Sequence, residues 1–238
     1  MIQFKIHHFE SLTSTQDKSK EFAAKGLFDI AVISEKQTLG RGRMQRKWAS
    51  SPGNLFMSIV LKPIDIKNLQ YLTFAAAISA VKSVKTIAKI NCSIKWPNDV
   101  NYNGKKLCGI LTEGIFGNEN FAIVGIGLNV NQKKFGKNIP NATSLYLATK
   151  KEFELGKLTK EILNNFQKYV KKYNSGNLES IRDEWLKYSN TIGHKITVKT
   201  LKKEIKGTAV GINDDCSLKV RTKNGIINVY EGDVSIRY

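Results

Sequence analysis

Gly40-Arg41-Gly42-Arg43-Met44-Gln45-Arg46-Lys47-Trp48, followed downstream by Lys95-Trp96-Pro97-Asn98-Asp99, is the pair of segments on which the reading of this chain turns. Glycines at alternate positions let a backbone approach a ligand closely and change conformation cheaply. The arginines between them carry planar forks that grip carboxylate or phosphate through paired bonds. Trp48, shortly after, is placed to cover an aromatic base. A dinucleotide fingerprint would need a third glycine where Gln45 stands, and there is no Walker lysine, so this is neither a Rossmann loop nor a P-loop. A solvated basic loop is the plain alternative. In the second segment the proline ends a strand and leaves Asn98 and Asp99 on a rigid turn; its plain alternative is a turn stabilised by those two side chains.

Two further segments carry chemistry. In Gly104-Lys105-Lys106-Leu107-Cys108-Gly109-Ile110-Leu111, strand alternation puts Lys106 on one face with Cys108 and Ile110. A lysine on such an apolar face must pair with an anion or reach solvent. In Gly125-Ile126-Gly127-Leu128-Asn129-Val130-Asn131 the glycines weaken a strand unless something packs closely against it.

Working outward, residues 4–9 read as an edge strand, and Thr13 with Gln16 forms a capping-box start to a helix ending near Gly26. Residues 29–34 and 55–61 read as strands, the latter closed by Pro63, and the polar stretch 35–54 between them is a functional loop. Residues 68–89 have apolar side chains at helical spacing and form a long core helix. Strands follow at 93–96, 100–102, 105–113 and 121–130, with turns at Asn103-Gly104 and at 118–120. Two amphipathic helices cover 158–173 and 178–188. From Thr191 five short alternating strands (192–200, 204–213, 217–222, 226–230, 234–238) predict a small β-barrel. The expected organisation is α+β: a domain over 1–190 with a central mixed β-sheet packed by helices, then a small SH3-like β-barrel over 191–238.

The chain has 238 residues, 41% of them hydrophobic, enough to bury a core. No apolar run is long enough to span a bilayer, and the first ten residues lack the apolar block of a secretory signal. Three scattered cysteines (Cys92, Cys108, Cys216) without a CxxC pair indicate a reduced, cytoplasmic setting and no zinc site. The histidines (His7, His8, His194) lack metal-like spacing, so no metal ligands are assigned. Cys108, with no histidine nearby in sequence, and Trp185, on an amphipathic helix, are read as core. The net charge is +18, but 32 of the 38 cationic side chains are lysines spread along the chain as solvated surface. Arginine is sparse, and Arg41, Arg43 and Arg46 fall together, which marks a site.

Taken in order, the Ser14-Thr15-Gln16 helix start and the GRGR…W, KWPND, GKKLCGIL and GIGLNVN segments resemble the biotin–protein ligases over essentially the whole chain. The resemblance implies the sheet-plus-barrel architecture above, in a form without the N-terminal operator-binding domain. It implies two half-reactions. Biotin and MgATP give biotinyl-5′-AMP and pyrophosphate, and a lysine of a biotin carboxyl carrier protein or domain then displaces AMP. Ser14, Thr15 and Gln37 are expected on the biotin head group. Arg41 and Arg43, with the amides of Gly40 and Gly42, are expected to close over biotin and phosphate. Lys106 faces the carboxylate and α-phosphate, Trp48 and Asn129 the adenine, and Asp99 the incoming lysine. Lys106, Arg43 and Asp99 are thus the catalytic candidates. Gln16 stands where the family usually has asparagine, which leaves its own role open. Members of this form are often homodimers, but no residue here specifies an interface.

Two rivals remain. Lipoate–protein ligases share fold and reaction type but typically carry an arginine pair followed by a glycine run, and lack KWPND. A nucleic-acid-binding barrel would suit the charge, yet wants aromatic residues among the basic ones, and the barrel region offers only Tyr230 and Tyr238.

Overall fold

A computed structural model describes residues 4–62, 66–116, 120–137, 139–201 and 203–237. Pro63, Tyr238 and the turn expected at 118–120, apart from Asn120, lie outside these.

The first strand, β1 (Lys5–Leu12), is at the sheet edge and pairs in parallel with β2 (Ile30–Gln37). Between them runs helix α1 (Thr15–Ala23). Its cap is Ser14, one residue later than expected: Ser14 is extended, and its Oγ accepts the Gln16 N–H at 3.2 Å. All other pairs in the seven-stranded sheet are antiparallel, in the order β1-β2-β3-β7-β6-β5-β4. Here β3 is Leu55–Leu61, β4 Ser93–Lys95, β5 Asp99–Tyr102, β6 Lys105–Ile115 and β7 Phe121–Leu128. The Trp96–Pro97 peptide, between β4 and β5, is cis.

Strand alternation sorts the core into two layers. Ala31 and Ile33 of β2 face the larger core with helix α2 (Leu69–Ala88), whereas Ile30 and Val32 face a smaller cluster with Ala23 of α1. Along α2, apolar and small residues surround the helix, so almost every position from Tyr71 to Val84 is buried, as expected of a central helix. Helices α4 (Leu155–Asn174) and α5 (Leu178–Tyr188) cover it from outside, and Trp185 stacks on Phe74 with centroids 4.4 Å apart. A one-turn helix, α3 (Leu145–Thr149), capped by Ser144, was not anticipated because its five residues show no periodicity. No helix among the described residues is long and apolar enough to cross a membrane.

The C-terminal strands β8 (Lys195–Lys199), β9 (Glu204–Ile212), β10 (Leu218–Thr222), β11 (Gly225–Val229) and β12 (Asp233–Arg237) form a separate antiparallel sheet in the order β11-β10-β9-β8-β12. This is the small β unit expected there. Among the described residues its edge strands β11 and β12 are not paired, so backbone hydrogen bonds do not close it into a barrel. It docks through Trp96, which is fully buried: the indole N–H donates to Cys216 O at 3.0 Å and the backbone N–H to Thr191 Oγ1 at 2.9 Å. The tryptophan of the KWPND segment thus anchors the second unit, while Asn98 and Asp99 remain toward the first.

Candidate active site

The segment 40–48 folds back on itself. Trp48 N–H donates to Gly40 O at 2.8 Å and Gly42 N–H to Arg46 O at 2.7 Å. The turn is made by Met44 and Gln45, both with positive φ (52° and 58°), a region that non-glycine residues enter at a cost. Neither Gly40 nor Gly42 has a positive φ. Gly40 is needed for close approach instead, since a Cβ there would stand 2.4 Å from Ser50 Oγ and 2.6 Å from Trp48 O.

Beneath the hairpin lies a cavity of about 250 Å³, floored by β6 and β7. At one end Thr15 donates twice to Gln37 Oε1, from N at 2.8 Å and from Oγ1 at 3.1 Å, and accepts from Ser58 at 2.8 Å. Gln37 Nε2 donates to Ser50 at 2.9 Å. Ser14, Thr15 and Gln37, which were expected together, share one polar end, and Gln16 lies there too. Arg41 pairs with Asp17 at 2.6 Å and Glu113 at 3.5 Å, and Arg43 donates to Asn98 Oδ1 at 3.0 Å. Burial pulls the Arg43 guanidinium below its ordinary pKa, opposed by the charges of Asp233, Asp99 and Glu231.

Gly109 and Gly127, neighbours on β6 and β7, open a flat floor for Trp48. A Cβ on Gly127 would stand 2.6 Å from Trp48 Cε2, and one on Gly109 2.8 Å from Cζ3. The Lys106 ammonium lies 5.1 Å from the centroid of the indole ring, within cation–π range. Trp48, Gln37 and Lys106 also border a second cavity of about 330 Å³, where Gly40 and Asn129 lie. The indole is thus a wall common to the two cavities. Asn129 is buried and donates to Thr143 O at 2.9 Å.

Lys106 ion-pairs with Asp99 at 2.7 Å, and Lys95 approaches the other carboxylate oxygen at 3.6 Å. The expected facing of Lys106 is corrected here. Val100 pairs with Cys108 but Asn101 pairs with Lys106, so Leu107 is an extra residue that shifts the alternation. Leu107 and Cys108 are both fully buried, while the Lys106 side chain passes 3.1 Å from where a Gly109 Cβ would be, on the cavity face. The anionic partner inferred from the sequence is present, but it is Asp99. Cys108 belongs to the core, and burial drives its thiol pKa up.

Five contributors were not legible: Glu113, Asp17, Ser50, Ser58 and Asp233. Glu113 receives Gln16 Nε2 at 2.8 Å as well as Arg41, and Asp17 holds Arg41 from α1. Ser50 and Ser58 brace Gln37 and Thr15. Arg46 forms a two-pronged pair with Asp233 of β12, which ties the hairpin to the C-terminal sheet. Burial alone would raise the Asp233 pKa, but the Arg46 hydrogen bond and charge, with Arg43 and Lys95, hold it below the usual carboxylate value. Of the five, only Asp17 had even a local signal, as an acid in the first turn of α1.

The profile of the biotin/lipoate A/B protein ligase family matches residues 8–131. The chain belongs to this family. A second profile, the biotin protein ligase C-terminal domain, matches residues 191–237. As a member of this family it is an enzyme of the ligase class. It is 36% identical to a bifunctional ligase/repressor BirA of Bacillus subtilis over 99% of its own length and 75% of that protein's. It is 28% identical to the biotin–[acetyl-CoA-carboxylase] ligase of Mycobacterium tuberculosis, over 86% of this chain and 78% of the relative. Among solved structures, the biotin protein ligase from Aquifex aeolicus in complex with biotin and ATP aligns with a TM-score of 0.87 at 29% identity, covering 98% of each chain.

Proposed function

We propose that this ligase joins biotin to MgATP as biotinyl-5′-AMP and transfers the biotinyl group to a lysine of a carboxylase's biotin carboxyl carrier domain, in the cytoplasm. The observation that carries the reading is the convergence of Lys106, Asp99 and Arg43 beside an indole that separates two cavities, one ending in polar groups. Biotin's head group then lies at the Ser14–Thr15–Gln37 end and its carboxylate near Lys106. Adenine takes the second cavity, near Asn129 and against Trp48. A carboxylate oxygen attacks the α-phosphorus, and the bond to pyrophosphate breaks. Arg41, Arg43 and Lys106, with the Gly40 and Gly42 amides, neutralise the charge as it moves, which is the main demand this chemistry makes of a protein.

In the second half-reaction the acceptor amine attacks the acyl carbon and AMP leaves with the bonding electrons. Each oxygen of Asp99 faces an ammonium, Lys106 or Lys95. It is therefore arranged to orient the incoming amine, and a proton passing to it would first have to loosen those pairs. A third cavity of about 490 Å³ reaches this pair from outside, walled by β12 residues Val234 and Ser235 and by residues 139–142. That is the route assigned to the acceptor lysine. Asp17, Glu113, Asp99 and Asp233 already face cations. They do not form a metal-ligating set, and Mg²⁺ enters as part of the nucleotide.

The polar end favours biotin over lipoate. A dithiolane ring leaves buried hydrogen-bonding groups unmatched, which penalises a ligand heavily. The test is transfer itself: purified enzyme, MgATP, biotin and a carrier domain should give one biotinyl group on the acceptor lysine by mass spectrometry. A carrier whose lysine is replaced by arginine should stay unmodified. Transfer of lipoate in place of biotin, or no transfer, would overturn the assignment.

A further inference from the structure

Asn101 lies on β5 two residues beyond Asp99, and alternation puts both side chains on the face opposite Val100, which belongs to the core. Asn101 is 4% exposed, yet its carboxamide makes no hydrogen bond among the described residues, and Oδ1 is buried without a donor. Its neighbour on β6, Lys106, gives its ammonium to Asp99 instead. Asn98, three residues earlier, shows the usual arrangement: Oδ1 accepts from Arg43 and Nδ2 donates to Ile110 O. A buried amide left unmatched costs stability that an apolar side chain of the same size would not. One that borders a cavity is satisfied if whatever enters the cavity brings the partner.

Asn101, Asp99 and Lys106 all line the third cavity, the route assigned above to the acceptor lysine. From Asp99 the strand runs through Asn101 to the exposed Asn103-Gly104 turn, and Gly104 borders the same cavity. Asn101 therefore stands between the charged pair and the outside, about 7 Å from Asp99 at the rise of a strand. That is close to the length of an extended lysine side chain. With its amine at Asp99, an entering lysine sets its methylenes against Ile139, Pro140 and Val234, and its own peptide group reaches the level of Asn101. The match needed there is neutral, because Lys95 and Lys106 are both turned to Asp99. No hydrogen bond fixes which end of the Asn101 amide faces the cavity, so it can offer a donor or an acceptor. A peptide group, with one N–H and one C=O, is its complement.

We propose that Asn101 hydrogen-bonds the peptide backbone beside the acceptor lysine and so serves as a docking residue for the carrier domain in the second half-reaction. This rests on the biotin reading above. The test is Asn101→Leu, which keeps the volume and removes the polar atoms. Its KM for the carrier domain should rise about threefold to tenfold, the net worth of one hydrogen bond, with kcat little changed. Biotin-dependent pyrophosphate exchange should match wild type. So should the reaction of the preformed adenylate with hydroxylamine, an acceptor without a peptide backbone. The melting temperature should hold or rise, because an unmatched polar group is removed, whereas loss of a structural amide would lower it. Should the leucine variant not fold, Asn101→Val is read in the same way, and failure of both to fold would mark the amide as structural and overturn the proposal. A carrier KM equal to wild type, or a loss with hydroxylamine as large as that with the carrier, would overturn it while leaving the biotin reading intact. A wild type that transfers no biotin to the carrier would overturn both.

Discussion

Replacing Gly127 with alanine tests whether the Trp48 indole is held against the β6–β7 floor as a structural part of the nucleotide site. The new methyl carbon would stand 2.6–2.9 Å from Cε2, Nε1 and Cζ2 of the ring. Ordinary contact begins near 3.4 Å, so the ring must retreat by up to about 1 Å, since the strand beneath it is fixed by pairing on both sides. A displacement of that size at a reacting centre costs on the order of a hundredfold. With the indole forming a wall common to the two cavities, the loss should appear as a higher KM for ATP and slower pyrophosphate exchange. The melting temperature should barely move, because the displaced ring borders a cavity and not the core. The decisive comparison is the double variant. In a Trp48→Ala background Gly127→Ala should add little, because the group it displaces is gone. If Gly127→Ala costs its full factor without the indole, the methyl acts on the strand or the ligand directly, and the packing argument fails.

Other expectations follow from the same geometry. Lys106→Ala should slow adenylate formation roughly a hundredfold to a thousandfold, by analogy with losing an oxyanion-hole donor, while Lys105→Ala, exposed on the far side, stays near wild type; single-turnover kinetics separates them. Asp233→Asn should change stability by no more than about 1 kcal/mol, since both partners are substantially exposed, but should speed hydrogen exchange in residues 40–48. The sign with pH is set by the lowered Asp233 pKa: the pair contributes above the ordinary carboxylate value of 3.8 and is lost as pH falls through the folded value. Wild type and Asp233→Asn should therefore exchange alike in acid. Exchange in residues 37–48 should also slow on adding biotin and ATP, because bound anions neutralise a strained, cationic hairpin; unchanged exchange would argue against ordering.

The parts of this molecule that were legible in the sequence are those written in local patterns. The apolar all-round character of α2, the Asn103-Gly104 turn with both φ values positive, and the alternation in β2 are each properties of a few neighbouring residues. The site was legible where its residues come as blocks, so Ser14, Gln37, Arg43, Trp48 and Lys106 meet at one cavity. What escaped depends on partners far along the chain. The extra residue at Leu107 appears only when β6 is laid against β5, and without it strict alternation puts Lys106 on the wrong face. Glu113 looks like any strand-end acid until Gln16 and Arg41 reach it, and the Arg46–Asp233 pair joins the 40–48 hairpin to the C-terminal sheet. Trp96, given no role in the sequence reading of KWPND, anchors the C-terminal sheet through its indole, a contact with a residue far along the chain.

The most direct test of the central claim is exchange of pyrophosphate into ATP with biotin, lipoate or neither present. The polar end of the cavity and the Lys106–Asp99–Arg43 cluster predict exchange that depends on biotin, with lipoate near the ligand-free background. Exchange with lipoate equal to that with biotin, or none with either, would contradict the account.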